Sequence, residues 1–149
     1  MKSHVVILLA LILFAGIVGV SQTTSDLQKK YGPPDSEGRY IVRPGIGLIA
    51  TVDDAGTMRD ITIGPISSNP KSAAQPAEKP TVMKAEVAET ILSEVLPVSK
   101  RGRYKGTGNA EFGCTSVDHM EYEKVVISIR NRCAEQGGGT YSMNIHWKG

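Results

Sequence analysis

An uninterrupted apolar run near the N-terminus constrains this chain more than any other feature of its sequence. Val5 to Val20 contains sixteen residues without a charged or polar side chain, and Lys2 precedes the run. Gly19 and Ser21 are small residues at the spacing that signal peptidase recognises. The pattern predicts a signal peptide over residues 1–21, cleaved after Ser21, and export to the periplasm or the extracellular space.

The same run leaves a membrane anchor open as the alternative. A helix that spans a bilayer needs about 20 apolar residues, whereas the core of a signal peptide needs roughly 7 to 15. The sixteen residues observed lie between these lengths, so residues 5–20 would hold an uncleaved chain at the membrane. No cysteine lies near the end of the run, which argues against a lipid anchor at that point.

Residues 22–149 have the size of a single domain with one core. The chain carries 17 basic and 15 acidic residues, and this near-neutral balance provides no electrostatic field for nucleic acid. No second apolar run is long enough to span a bilayer. Membrane contact is therefore expected only through residues 5–20.

Two cysteines, Cys114 and Cys133, follow the predicted signal. An even number of cysteines in an exported chain predicts a disulfide. It closes a loop of about 20 residues and contributes ~3 kcal/mol on the chain-entropy estimate. The spacing is not Cys-x-x-Cys, so we expect a structural bond rather than a redox centre. The alternatives are a free thiol pair or a zinc site with His119 and His146, although such sites usually bring paired, closely spaced ligands.

Local patterns predict an α+β domain in which an antiparallel sheet of about five strands carries one main amphipathic helix. A short N-terminal helix begins at Ser25, in capping-box form with Gln28, and ends at Gly32. The main helix ends at Pro97. Its apolar residues recur at spacings of three and four: Val87, Ala88, Ile91, Leu92, Val95 and Leu96.

Five segments have the character of strands: residues 39–43, 46–52, 57–64, 122–131 and 140–147. The second has apolar residues in both alternating sets, which indicates a strand covered on both faces. The last alternates apolar and polar residues, which indicates one buried face and one wet face. Between the third strand and the main helix, residues 65–80 are predicted to form a flexible surface loop.

Three segments resemble a set of small exported bacterial proteins that are uncharacterised. The segments are LQKKYGPPDSEGRYIVRPGIGL, ILSEVLPVSKRG and EYEKVVISI. The resemblance extends over most of residues 22–149. It implies an exported single domain and implies no function.

A basic, glycine-rich segment is the strongest candidate for ligand binding. Lys100, Arg101, Arg103 and Lys105 lie within six residues, with glycines among them. Cations and accessible backbone amides can bind a phosphate, a sulfate or an acidic glycan. The alternative is a solvated loop after a helix C-terminus, where the helix dipole favours cations. The phosphate-loop motif is absent.

Candidates for catalysis are few. His119 and His146 are the histidines beyond residue 21, and His146 is expected to be a solvated side chain on the last strand. Ser116, Asp118 and His119 provide the residue types of a hydrolase, but no nucleophile elbow surrounds them. The carboxylate pairs Asp53–Asp54 and Glu121–Glu123 are expected to lie at the surface.

These observations favour a non-enzymatic module of the cell envelope over an enzyme. The expected partner is an unknown envelope protein or an acidic ligand, and no catalytic residue, metal ion or cofactor is assigned. Two alternatives remain. One is a small hydrolase that uses His119, and the other is a binder of anions or acidic glycans through residues 100–105.

Overall fold

A computed structural model describes residues 23–66 and 81–149 of the chain. The predicted signal peptide or anchor, its cleavage site and residues 67–80 of the predicted loop lie outside the described residues. Within the two described ranges, no helix is long and apolar enough to cross a membrane.

The first helix, α1, spans Thr24–Tyr31. The N-cap predicted at Ser25 is wrong, because the cap lies at Thr23. The Thr23 hydroxyl accepts a hydrogen bond from the Asp26 amide at 3.3 Å, and the Asp26 carboxylate accepts one from the Thr23 amide at 3.0 Å. This reciprocal cap holds the pKa of the Asp26 carboxyl below its ordinary value. As predicted, the helix ends at Gly32.

Three strands then form an antiparallel meander: β1 (Tyr40–Arg43), β2 (Ile46–Val52) and β3 (Met58–Pro65). The turn between β2 and β3 depends on Asp53. Its carboxylate accepts hydrogen bonds from the amides of Ala55 and Thr57, at 3.0 and 2.9 Å. β2 and β3 therefore form a hairpin, and Asp53 has the turn role that aspartate commonly takes.

The main helix, α2 (Ala85–Val95), precedes a shorter helix, α3 (Val98–Arg101). Pro97 separates the two because proline cannot continue a helix. Two contacts fasten the C-terminal end of α2 to neighbouring elements. Arg43 of β1 pairs with the Glu94 carboxylate, and the ammonium group of Lys30 donates to the Glu94 carbonyl oxygen at 2.7 Å. The predicted amphipathic face of α2 is confirmed, since its buried residues are Ala88, Ile91, Leu92 and Val95.

Four strands complete the chain: β4 (Tyr104–Phe112), β5 (Thr115–Tyr122), β6 (Val125–Arg132) and β7 (Gly139–Trp147). The described part of the chain therefore holds seven strands in one sheet rather than the five predicted. The two missed strands are β4 and β5, which are polar and lack apolar alternation. They form strands because each pairs along its length with a neighbour, and local sequence does not express such pairing.

The seven strands form one antiparallel sheet in the order β1-β2-β3-β7-β6-β5-β4. The last strand, β7, pairs with β3 and β6. It therefore joins the N-terminal meander to the C-terminal one and lies at the centre of the sheet. The predicted α+β class with an antiparallel sheet is confirmed, and β1 and β4 are its edges.

The helices pack on one face of this sheet and form a single core with it. The prediction that β7 has one buried and one wet face holds only towards the end of the strand, where Met143 and Ile145 are fully buried and His146 is exposed. At the start of β7, Thr140 of the side predicted to be wet is only 2% exposed. The prediction that β2 is covered on both faces is wrong. Leu48 is fully buried, but Ile49 is 46% exposed, since the described helices lie only on the side of Leu48.

The predicted disulfide joins Cys114 to Cys133. Cys114 lies in the turn between β4 and β5, and Cys133 follows β6, so the bond fastens the tip of the outer hairpin to the adjacent strand. The Cys133 amide also donates to the Cys114 carbonyl oxygen at 3.1 Å. A disulfide is consistent with an oxidising compartment.

Candidate functional site

The face of the sheet opposite the helices, termed the open face, carries two rows of cross-strand neighbours. Successive side chains of a strand point to opposite faces, so these residues alternate with the core residues. The His119 row consists of Ile49, Thr62, Asn144, Ser128, His119 and Gly108. The His146 row consists of Thr51, Asp60, His146, Val126, Glu121 and Gly106.

Side-chain hydrogen bonds connect the strands along the His119 row. The Nδ1 atom of His119 lies 2.8 Å from the Ser128 hydroxyl. Between β3 and the central strand β7, the Thr62 hydroxyl donates to the Asn144 side-chain oxygen at 2.9 Å. His119 is exposed, and its Nε2 atom takes no part in the Ser128 contact. The His119 imidazole is therefore oriented by Ser128 and is accessible to a ligand.

The His146 row carries charges of both signs. The Nδ1 atom of His146 lies 2.6 Å from the Asp60 carboxylate. Near the other end of the row, the Lys148 ammonium group donates to the Glu121 carboxylate at 2.6 Å. This hydrogen bond and the positive charge of Lys148 hold the pKa of the Glu121 carboxyl below its ordinary value. His146 is exposed, as expected, but it is also paired with an acid from β3.

A depression of about 360 Å³ lies around His119. Gly106 and Gly108 of β4 line it, together with Thr107, Glu121 and Val126. A Cβ atom added at Gly106 or Gly108 would meet no atom within 4 Å. The two glycines therefore leave the His119 imidazole accessible from the β4 side of the sheet.

Ser116 and Asp118 do not join His119 in a catalytic set. The alternation of β5 puts them on the face opposite His119. Asp118 accepts hydrogen bonds from the side-chain amides of Asn109 and Asn131, at 2.6 and 2.9 Å. The hydroxyl that does contact His119 belongs to Ser128 of the neighbouring strand.

Ser128 was missed because the register between β5 and β6 sets its pairing with His119. The sequence around Ser128 gives only a signal of exposure, which is weaker than a signal of its pairing partner. Ser128 lies between Ile127 and Ile129, so alternation alone directs its side chain away from the core. That signal identifies a surface residue but does not identify its neighbour on another strand.

The basic segment divides into one buried cation and three exposed ones. Arg101 is only 6% exposed. Its Nε atom donates to the Leu96 carbonyl oxygen at 3.0 Å, and its guanidinium group lies 5.6 Å from the centre of the Tyr122 ring. The exposed cations are Lys100, Arg103 and Lys105. These three can contact an anion in solution, whereas the guanidinium group of Arg101 is occupied by the protein itself.

The two cysteines of the alternative zinc site are not available as metal ligands. Cys114 and Cys133 are bonded to each other, and a zinc ligand must be a thiolate. The Glu135 carboxylate lies within 4.8 Å of the two sulfur atoms. Because both sulfurs are oxidised, this proximity does not make a metal site.

Comparisons with known proteins leave the site to be interpreted from its own residues. No protein-family model, curated protein or solved structure matches the chain.

Proposed function

We propose that this chain is an exported, non-enzymatic binding module, and that its partner is a protein of the cell envelope that docks on the open face. One observation carries the proposal. The described helices cover one face of the sheet, whereas the open face presents hydrogen-bonding side chains on its central strands. These side chains include Thr62, Asn144, Ser128 and His119.

The shape of the open face favours a macromolecular partner. Small-molecule sites enclose most of their ligand in a concave pocket, whereas the depression at His119 lies open to solvent. Neighbouring strands lie ~4.8 Å apart, so the six strands that share each row span ~24 Å. A typical protein interface buries about 800 Å² on each partner, and a round patch of that area is roughly 30 Å across. The width of the open face is close to this diameter.

Site-specific photo-cross-linking in the expressing cell tests this proposal. A photoreactive amino acid is placed at Thr62 on the open face or at Ser93 on the exposed side of α2. We expect Thr62 to capture an envelope protein that mass spectrometry identifies, and Ser93 to fail to capture it. Equal capture from both positions would contradict docking on the open face.

A matched pair of variants makes the test quantitative. Thr62→Arg adds a long charged side chain to the open face, and Ser93→Arg adds the same side chain on the helix side. We expect Thr62→Arg to weaken binding of the identified protein at least tenfold, whereas Ser93→Arg leaves binding unchanged. The proposal is wrong if both variants retain the affinity of the parent chain.

A small hydrolase is the second candidate function, and the His119–Ser128 contact favours it. A hydroxyl at 2.8 Å from an imidazole nitrogen has the geometry of a nucleophile beside a general base. The test is turnover of a panel of esters, peptides and glycans by the parent chain, His119→Ala and Ser128→Ala. Ser116→Ala, on the opposite face, is the control. If the parent chain and Ser116→Ala turn over a substrate but His119→Ala and Ser128→Ala do not, the hydrolase replaces the binding proposal. If the parent chain turns over no substrate, the hydrolase hypothesis is wrong.

Binding of an acidic glycan through the basic segment is a further proposal, supported by the exposure of Lys100, Arg103 and Lys105. The probe is dextran sulfate, measured by calorimetry at low and high salt. Binding by surface cations weakens as salt screens the charges, and replacement of the three cations by glutamine should abolish it. Binding that resists both salt and the triple replacement would contradict this site.

A further inference from the structure

Two arginines of β6 lie side by side at one end of the open face. The pairing of β6 with β5 is regular over residues 126–132, and Arg130 and Arg132 follow Ser128 at intervals of two residues. Because alternate residues of a strand share a face, all three side chains point to the open face. The two arginines therefore lie next to the His119 row, on the side away from the His146 row.

No acid balances the charges of these two arginines within the described residues, where neither of them forms a salt bridge. Their cross-strand neighbours are all uncharged: Val117 and Thr115 in β5, and Ser142 and Gly139 in β7. The Asp118 carboxylate belongs to the opposite face and is bound by two asparagine side chains. The Glu135 carboxylate, in the turn after β6, lies beside the disulfide.

Tyr141 positions one of the two guanidinium groups. The pairing of β6 with β7 shifts register between Arg130 and Asn131, which leaves Tyr141 unpaired as a bulge residue of β7. Bulges redirect side chains, and the guanidinium carbon of Arg132 lies 5.1 Å from the centre of the Tyr141 ring. Stacking on an aromatic ring uses the face of a guanidinium group and leaves the N–H groups at its edge for an acceptor.

Two enclosed polar atoms at this end of the open face have no hydrogen-bond partner among the described residues. They are the Nε atom of Arg132 and the hydroxyl oxygen of Ser142. Each can donate a hydrogen bond, and a buried donor without an acceptor destabilises a protein. Ser142 lies directly opposite Arg130, which is exposed, so movement of this long side chain can admit an oxygen atom to the hydroxyl.

We infer that Arg130, Arg132 and Ser142 bind a phosphate monoester group through its terminal oxygens. Such a group carries about −1.5 to −2 charges at pH 7 and has three strong acceptor oxygens. Its charge matches that of the two arginines, and its oxygens suit the forked N–H groups of arginine as well as a hydroxyl donor. A carboxylate provides one charge and two oxygens, so it matches this set of donors less well. The site does not depend on the envelope protein proposed to dock on the open face.

An NMR titration of the exported, disulfide-bonded chain with glycerol 1-phosphate tests the site. The ionic strength is kept constant, and the Nε–H signals of Arg130, Arg132 and Arg103 are followed. Arg103 is the control because it is exposed outside this site. We expect saturable shifts for Arg130 and Arg132 and no saturable shift for Arg103. Equal shifts at all three arginines, or shifts that never saturate, would overturn the inference.

Matched variants show which donors hold the ligand. Arg130→Gln and Arg132→Gln should each weaken binding of glycerol 1-phosphate roughly tenfold, because each removes a charge-assisted contact. Ser142→Ala should weaken it about threefold, and Arg103→Gln should leave it unchanged. Arg130 is exposed, so its replacement is expected to leave the fold intact. Full affinity in both Arg130→Gln and Arg132→Gln would overturn the inference.

Vesicles distinguish a soluble phosphate ester from a lipid headgroup. Phosphatidylcholine vesicles with and without phosphatidic acid, whose headgroup is a phosphate monoester, are sedimented with the parent chain and with R130Q/R132Q. Additional binding to phosphatidic acid that R130Q/R132Q loses would identify the headgroup as the ligand. Binding of glycerol 1-phosphate without this additional binding would identify a soluble ester. Binding of neither probe would show that the inference is wrong.

Discussion

Replacement of Arg101 by methionine distinguishes a structural arginine from a ligand-binding one. The sequence places Arg101 in a basic segment, but its side chain is buried between the end of α2 and Tyr122. Arg101→Met keeps a long apolar stem and removes the guanidinium group. The variant therefore removes a hydrogen bond to the Leu96 carbonyl oxygen and a contact with the Tyr122 ring.

The expected loss of stability follows from these two contacts. A hydrogen bond from a charged donor contributes about 1.5 to 3 kcal/mol, and a cation over an aromatic ring contributes about 0.5 to 2 kcal/mol. Removal of a buried charge returns part of its desolvation cost, and the methionine side chain fills part of the vacated space. We therefore expect Arg101→Met to lower the free energy of unfolding by roughly 2 kcal/mol.

Urea denaturation measures this loss. With a denaturant dependence of about 1 to 3 kcal/mol per molar urea, the midpoint should fall by roughly 1 M. The matched control is Arg103→Met, which removes the same group from an exposed position and should change stability by less than about 0.5 kcal/mol. Equal midpoints for Arg101→Met and the parent chain, or equal losses in both variants, would refute the structural role of Arg101.

Three further predictions concern the disulfide, the core and the open face. Replacement of Cys114 and Cys133 by serine should lower the free energy of unfolding by about 3 kcal/mol, and an unchanged urea midpoint would contradict this. Ile127→Ala should cost about 2 to 5 kcal/mol, because Ile127 is fully buried, and a loss below about 1 kcal/mol would contradict its place in the core. The ordinary pKa of the Glu121 carboxyl is 4.5, and its folded-state pKa lies lower. Its stabilising contact with Lys148 is therefore present above pH 4.5 and is lost as the pH falls through the folded-state pKa. Lys148→Met should raise the Glu121 pKa in an NMR titration, and an unchanged pKa would refute this contact.

Elements with a strong local signal could be predicted from the sequence. The amphipathic spacing of α2 identifies its buried residues, and the alternation of β7 identifies its two faces. The disulfide follows from the number of cysteines and the predicted export, with a structural bond expected from their spacing. The N-terminal signal or anchor and the loop over residues 67–80 remain predictions, since they lie outside the described residues.

The candidate site was harder to predict because its contacts join residues on different strands. Asp118 is adjacent to His119 in sequence but lies on the opposite face, whereas Ser128 is nine residues away and touches the imidazole. Arg101 and Arg103 are two residues apart, yet one is buried and the other is exposed. Strand pairing and burial decide these differences, and neither is a property of neighbouring residues alone.

The sequence by itself determined the α+β class, the main helix and the pairing of the cysteines. It also predicts the export signal, which lies outside the described residues. Each of these depends on composition or on periodicity within a short segment. Tertiary structure decided that β4 and β5 are strands, that β7 lies at the centre of the sheet, and that the described helices pack on one face of it. It decided them because strand order and register depend on hydrogen bonds between segments that are distant in the chain.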